Sequence, residues 1–159
     1  MAYTTIISTD ELEKEFTRSD WVIVDCSFNL MEPNWGLGEY QKAHIPGALY
    51  ASLDQDLASP VTGFSGRHPL PEQERFLKKL SDWGIDASKQ VVVYDTVNGA
   101  FAVRLWWLLR FYGHNNVAVL EGGFQKWRTE EKPIRPGIEH NIPAIFQGIP
   151  HPEMFFTTE

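Results

Sequence analysis

The sequence has a single cysteine, Cys26, among 159 residues, and this scarcity already restricts its chemistry. One thiol cannot form a disulfide within the chain, which favours a reducing compartment and leads us to expect a cytoplasmic protein. Basic residues are also scarce, since 14 Lys and Arg stand against 21 Asp and Glu. Binding to nucleic-acid phosphates requires a basic face, so we expect no nucleic-acid partner.

Long hydrophobic runs are absent as well. The densest apolar stretch, Leu105 to Leu109, is closed on both sides by Arg104 and Arg110 and is far shorter than the roughly 20 residues of a membrane span. The first twenty residues contain five acidic side chains, which a signal peptide does not tolerate. The five histidines are scattered and one cysteine cannot build a zinc site. We therefore expect no membrane partner, no metal and no other cofactor.

What the chain does contain is an alternation of apolar runs and helical patterns. Ser8 and Glu11 form a capping-box pattern that predicts a helix to about Phe16. Continuous apolar runs are typical of strands buried on both faces of a parallel sheet. Such runs occur at Trp21–Val24, Val91–Tyr94 and Val117–Leu120, with a short strand at Ala48–Tyr50. The alternation predicts an α/β domain with a largely parallel sheet and helices on both faces.

The helices between these strands are predicted from apolar spacing and from terminal glycines. We expect a mostly irregular loop from Met31 to Gly38 and then helices at Glu39–Ala43, from Glu72 to Trp83, at Ala102–Tyr112, and from Gly122 through Trp127. The Trp106–Trp107 helix is rich in apolar residues and is expected to pack on nearly all sides.

Two segments fall outside this pattern. Residues 54–71 are polar and punctuated by proline and glycine, which predicts a long surface loop of the kind that often carries function. Five of the ten prolines lie between Pro133 and Pro152. We therefore divide the chain into a folded domain, 1–131, and an extended linker or packing arm, 132–159.

The parallel sheet also predicts where a ligand would bind. Ligands of such sheets lie beyond the carboxyl ends of the strands. At that end, Asp95 follows an apolar strand, and a short loop leads from it to the helix that starts at Ala102. Backbone N–H groups at the start of a helix favour an anion.

Four segments carry a resemblance to a known family. They are HIPGA at residues 44–48, VVVYD at 91–95, AVRLWWLLRFYGH at 102–114 and LEGGFQKW at 120–127. Together, from about Thr4 to Arg128, the chain resembles the rhodanese domain, and more closely the first half of two-domain thiosulfate and 3-mercaptopyruvate sulfurtransferases. The resemblance implies a five-stranded parallel sheet flanked by helices.

The resemblance also implies a persulfide-forming cysteine at the end of the VVVYD strand, where this chain has Asp95. A carboxylate cannot hold a persulfide, so the nucleophile of the family is missing, as is typical of first halves. The active-site-like loop consists of Asp95, Thr96, Val97, Asn98, Gly99 and Ala100. Residues 146–159 resemble the connector to a second rhodanese domain. We expect such a domain, and a small anionic sulfur donor, as partners, and we expect this chain alone to be inactive.

Two residues of the long loop match supporting catalytic positions of the mercaptopyruvate enzymes, namely Asp54 and His68. The resemblance implies that they reach across to the cysteine of the second domain. An Asp–His pair is a standard way to orient an imidazole. The alternative is that Asp54 caps a turn and His68 is a solvated loop residue. Arg67 is a weaker candidate for holding an anionic substrate.

The remaining candidates have simpler interpretations. Cys26 ends the first buried strand without a following helix to cradle a thiolate, so we interpret it as structural. Arg104 and Arg110 are expected to pair with acidic side chains or to contact the second domain. An alternative function stays open, in which the chain is a catalytically inactive module that binds a protein through the Asp95 loop or the tryptophan-rich helix. An independent enzyme that uses Cys26 is the third hypothesis.

Overall fold

A computed structural model describes residues 1–156, which form a five-stranded sheet flanked by five α-helices. The strands are β1 Ile6–Ile7, β2 Trp21–Asp25, β3 Leu49–Tyr50, β4 Gln90–Tyr94 and β5 Val117–Leu120. The helices are α1 Thr9–Glu15, α2 Trp35–Lys42, α3 Gln73–Asp82, α4 Ala102–Phe111 and α5 Gly123–Thr129, and a 3₁₀ turn spans Pro152–Met154. The predicted α/β class and the helices on both faces are confirmed.

The sheet is parallel throughout, in the order β1-β5-β4-β2-β3. Successive residues of the central strands point to opposite faces, so each strand supplies both cores. On one face, Val91 and Val93 join the apolar residues of α3 and α4. On the other, Val92 and Tyr94 join those of α1 and α5. Because both faces are covered, the loops at the carboxyl edge of the sheet are where polar groups gather.

Two elements differ from the sequence predictions. The strand β1 was not predicted, since it is only two residues long and Ile6 is exposed. The loop predicted up to Gly38 is wrong, because α2 already begins at Trp35. Position 36 of that helix is a glycine because its backbone passes close to the carbonyl oxygen of Ser27. A Cβ at this position would lie 1.9 Å from that oxygen. Here glycine reflects a close contact between chain segments and not a helix break.

The proline-rich segment from residue 133 lies against the domain. Arg135 pairs with His44 in an isolated antiparallel bridge. Further along, the backbone N–H of Phe146 donates to Ser81 Oγ (2.9 Å), and that of His151 donates to the carbonyl of Phe111 (2.8 Å). The described part of the arm predicted for residues 132–159 is thus hydrogen-bonded to the domain at several points, and Phe146 is its one buried residue up to residue 156. Its last three residues lie outside the described residues.

No helix within residues 1–156 combines the length and the apolar character that crossing a bilayer requires.

A buried histidine makes stability depend on pH. His114 is 5% exposed and its ring lies 6.0 Å from that of Phe146 in the packed arm. Burial lowers the pKa of His114, against smaller opposing contributions from the backbone of Asn116 and Lys89 and from Asp86. The folded state therefore favours the neutral ring. When the pH falls below about 6.5, the unfolded state binds the proton more readily and the folded state loses stability.

We expect the free energy of unfolding to decline between about pH 7 and about pH 5, and part of this decline to disappear in His114→Gln. Urea unfolding of both proteins across this range measures the two slopes. Equal slopes would refute the assignment, whatever the absolute cost of the substitution.

Candidate functional site

The loop after β4 is organised around the carboxylate of Asp95. Its Oδ1 accepts hydrogen bonds from the backbone N–H groups of Val97 and Gly99, both at 3.0 Å. Its Oδ2 accepts those of Phe101 and Ala102, both at 2.9 Å. Asp95 is only 1% exposed. Four donors at a helix start therefore already hold an anion, and that anion is the side chain of the protein itself.

Local conformation explains why the loop closes in this way. Gly99 adopts a positive φ of 88°, which turns the chain so that its N–H points back to Asp95. The carbonyl of Asp95 accepts from the N–H of Phe124, and Gly123 packs so close to it that a Cβ would lie 2.6 Å away. The LEGGF segment therefore fixes the same strand end from the other side.

The other residues of this loop lie at the surface or beside it. Val97, Asn98 and Ala100 are exposed. Thr96 is partly buried, and its Oγ1 has no hydrogen-bond partner in residues 1–156. The loop predicted from sequence is thus present as a turn, and its backbone donors converge on a carboxylate.

Cys26 has none of the surroundings that activate a thiol. It is 1% exposed and follows β2, where its backbone N–H donates to the carbonyl of Tyr94 (2.7 Å). Burial raises the pKa of the thiol well above its usual value, and the nearby carboxylates of Asp25, Asp95 and Asp56 raise it further. A reactive cysteine requires the opposite, namely positive potential and access to solvent.

The two predicted residues of the long loop lie in contact. Nε2 of His68 is 3.1 Å from Oδ1 of Asp54. A carboxylate only accepts hydrogen bonds, so the proton of the neutral ring lies on Nε2 and Nδ1 is left as an acceptor. The side chains are 23% and 44% exposed, respectively. The pair is therefore accessible from solvent and has a defined tautomer.

Aromatic contacts connect this pair to the start of α4. The ring of His68 packs edge-on against Phe28, with centroids 6.4 Å apart. Phe28 in turn packs against Phe101, at 5.6 Å, and the N–H of Phe101 is one of the four donors to Asp95. The Asp54–His68 pair and the Asp95 loop thus lie on one edge of the sheet. The neighbouring Arg67 is exposed.

The structure corrects part of the expectations for the α4 side chains, while a contact of Arg104 or Arg110 with a second domain stays a prediction. Neither Arg104 nor Arg110 forms an ion pair with an acidic residue of the described chain. Arg104 donates instead to the backbone carbonyls of Leu57, His68 and Pro69. Arg110 stacks over the ring of Trp106, at 4.9 Å. The helix is not packed on nearly all sides either, since its outer face carries an exposed Val103 and partly buried tryptophans.

Exposed apolar side chains surround this edge. They lie in the loops that follow the carboxyl ends of β2, β3 and β4, which meet at one edge because the strands are parallel. These residues are Leu30, Met31, Val61, Phe64 and Val97. Several such side chains in adjacent loops are typical of a surface that contacts another protein segment.

Comparison with known proteins supplies the relatives of this chain. A family model described as "Rhodanese-like domain" matches residues 8–130. A probable 3-mercaptopyruvate sulfurtransferase of Pseudomonas aeruginosa is 39% identical over 152 residues, which are 94% of this chain and 54% of that protein. Thiosulfate/3-mercaptopyruvate sulfurtransferase 2 of Arabidopsis thaliana is 36% identical over 90% of this chain and 44% of its own length.

A solved structure agrees with the sequence matches. The 3-mercaptopyruvate sulfurtransferase from Leishmania major superposes with a TM-score of 0.80 and 28% identity, over 90% of this chain and 39% of that one. The chain therefore spans about half the length of the curated relatives it matches.

Proposed function

This chain belongs to the rhodanese-like domain family, and from that membership we propose that it is the N-terminal, noncatalytic domain of a two-domain sulfurtransferase. In this role it contributes Asp54, His68 and a docking surface to a cysteine on a second rhodanese domain. The complete protein transfers sulfane sulfur from thiosulfate or 3-mercaptopyruvate to a thiol or to cyanide. The relatives over most of the chain are sulfurtransferases with these donors in their names, which supports the substrate class.

The main support for the proposal is the Asp95 loop, whose backbone N–H groups already bind a side chain of the same loop. In the family the corresponding position holds a cysteine, whose persulfide would use the N–H groups of the loop. Here Asp95 uses four of them itself. A carboxylate forms no persulfide, and its negative charge repels an anionic donor from the same place. The reactive sulfur is therefore expected to come from outside this domain.

Cys26 supports the same conclusion by its chemistry. A nucleophilic cysteine must be ionised and reachable, whereas this thiol is buried and its pKa is raised. The solvent-accessible acid–base group of this edge is instead His68. An imidazole with Asp54 on Nε2 can accept a proton at Nδ1, and the carboxylate then stabilises the imidazolium.

The pair would assist the transfer of the donor's sulfur atom to a cysteine of the second domain. The cysteine thiolate of the second domain attacks the sulfur of 3-mercaptopyruvate, and a new S–S bond forms. The C–S bond breaks, and its electron pair leaves with the carbon as the enolate of pyruvate, which takes up a proton. The S–H proton of the donor passes to Nδ1 of His68 and from there to the enolate carbon, which completes pyruvate and leaves a persulfide on the cysteine of the second domain. With thiosulfate the S–S bond of the donor breaks and sulfite leaves.

The chain of 159 residues is expected to release no thiocyanate from thiosulfate and cyanide, and no pyruvate from 3-mercaptopyruvate. A chimera in which this chain replaces the matched part of the Pseudomonas aeruginosa relative is expected to be active with at least one donor. Colorimetric thiocyanate and coupled pyruvate assays measure both.

Two results would count against the proposal. Activity of the isolated chain that disappears in Cys26→Ala would make Cys26 the nucleophile. A folded but inactive chimera, together with capture of a defined protein by the isolated chain, would favour the protein-binding module instead.

A further inference from the structure

The long loop that carries Asp54 and His68 is held by an arginine on each side. Arg104 lies in the first turn of α4, and its Nε and Nη2 donate to the carbonyl of Leu57 at 3.2 and 2.9 Å. The same Nη2 donates to the carbonyls of His68 (3.0 Å) and Pro69 (3.1 Å). One guanidinium thus joins the beginning of the loop to its end, and one of its acceptors is the backbone of His68 itself.

A second arginine holds the segment next to Asp54. Arg75 lies in the first turn of α3, and its Nη1 donates to the carbonyl of Gln55 (2.7 Å) and its Nη2 to that of Ala58 (2.7 Å). Gln55 directly follows Asp54 in the chain. The two members of the pair are therefore attached to two different helices through backbone carbonyls.

Arg104 binds these carbonyls without the help of a carboxylate. Its side chain is partly buried, and desolvation lowers the pKa of its guanidinium. No carboxylate of residues 1–156 forms an ion pair with it, so three carbonyls alone compensate for the lost hydration. A planar guanidinium presents several N–H groups in a fixed arrangement, which suits acceptors from separate chain segments better than a lysine ammonium does.

We propose that Arg104 and Arg75 are positioning residues that set the geometry of the Asp54–His68 pair. This inference rests on the proposed function of the pair. It also assigns a structural role to the Asp95 loop. The Asp95 carboxylate accepts hydrogen bonds from the N–H groups of Phe101 and Ala102 at the start of α4. The loop thereby fixes the helix from which Arg104 reaches His68. In this chain the Asp95 loop therefore stabilises the position of the neighbouring Asp54–His68 pair.

The expected size of the effect follows from the geometry of the pair. The Asp54–His68 contact is 3.1 Å long. A shift of about 1 Å in the segment that carries Asp54, or in the one that carries His68, therefore breaks it. Misplacing a catalytic group by about this distance costs up to about a hundredfold in rate. In the active chimera, Arg104→Met is expected to lower kcat about ten- to a hundredfold. KM is expected to change much less, because Arg104 donates its hydrogen bonds to backbone carbonyls of this chain.

The matched variants separate positioning from general damage. Arg104→Lys keeps the charge without the planar fork and is expected to restore only part of the rate. Arg75→Met is expected to lower kcat like Arg104→Met, because it releases the segment next to Asp54. Arg128→Met removes an exposed arginine of α5 that contacts neither loop segment, and its kcat is expected to match that of the unmutated chimera.

A spectroscopic readout on the chain itself tests the inference independently of turnover. Nitrogen-15 NMR of the His68 ring is expected to report the Nε2–H tautomer in the wild-type chain and in Arg128→Met, and a mixture of tautomers in Arg104→Met. If Arg104→Met and Arg75→Met keep both this signature and kcat, the positioning role is refuted. If the signature changes as expected but His68→Asn leaves the rate of the chimera intact, the arginines do position the pair and it is the proposed function of the pair that fails.

Discussion

Replacing Asp95 with asparagine is expected to lower the free energy of unfolding by about 2–4 kcal/mol, although the side chain keeps its shape. The amide oxygen can still accept from two backbone N–H groups. The amide NH₂ instead faces the other two, which loses their hydrogen bonds and places donors against donors. The site is buried, so water does not replace the lost acceptor.

Urea unfolding of the two proteins at neutral pH measures this difference. Asp82→Asn is the matched control, since Asp82 pairs with Lys78 on the surface at 2.7 Å with half of its side chain exposed. An exposed pair of this kind contributes about 1 kcal/mol or less. If Asp95→Asn costs no more than Asp82→Asn, the carboxylate is not what holds this loop.

The second large effect is expected in catalysis. In the active chimera, His68→Asn is expected to lower kcat/KM by about 10²- to 10⁴-fold, the range that general acid–base groups contribute. Asparagine can donate and accept hydrogen bonds but cannot take up a proton at neutral pH. Asp54→Asn is expected to cost less, because the imidazole remains and only its orientation and the stabilisation of its charged form are lost.

The control for this series is His140→Asn, which changes an exposed histidine in the packed arm. Its rate is expected to equal that of the parent chimera, and all variants are compared after circular dichroism confirms that they are folded. An unchanged rate in His68→Asn would reduce His68 to an ordinary loop residue and would favour the alternative interpretation of the loop.

Most of the fold could be predicted because its signals are local. The apolar runs of β2, β4 and β5 and the capping box at Ser8 are each visible in a few consecutive residues, and the structure forms both hydrogen bonds of that box. The start of α2 could not be predicted in this way. The glycine at position 36 suggests a loop, and its true reason, the carbonyl of Ser27, lies nine residues earlier in the sequence and is close only in the fold.

Part of the candidate site could be predicted from the sequence and part could not, for the same reason. The contact between Asp54 and His68 was anticipated only through the family resemblance, since they are 14 positions apart along an irregular loop. The N–H groups at the start of α4 were anticipated as a place for an anion, but the use of four N–H groups by Asp95 itself was not, because only the path of the loop aims them at this side chain. The partners of Arg104 were missed for the equivalent reason, since any residue can supply a backbone carbonyl.

In the proposed function, the sulfur carried during the reaction is never bound to this domain. The most direct test is to treat the active chimera with 3-mercaptopyruvate in the absence of an acceptor and to locate the added sulfur atom by peptide mass spectrometry. We expect the persulfide on a cysteine of the second domain and unmodified thiol at Cys26. A persulfide on Cys26 would contradict the noncatalytic role proposed for this domain.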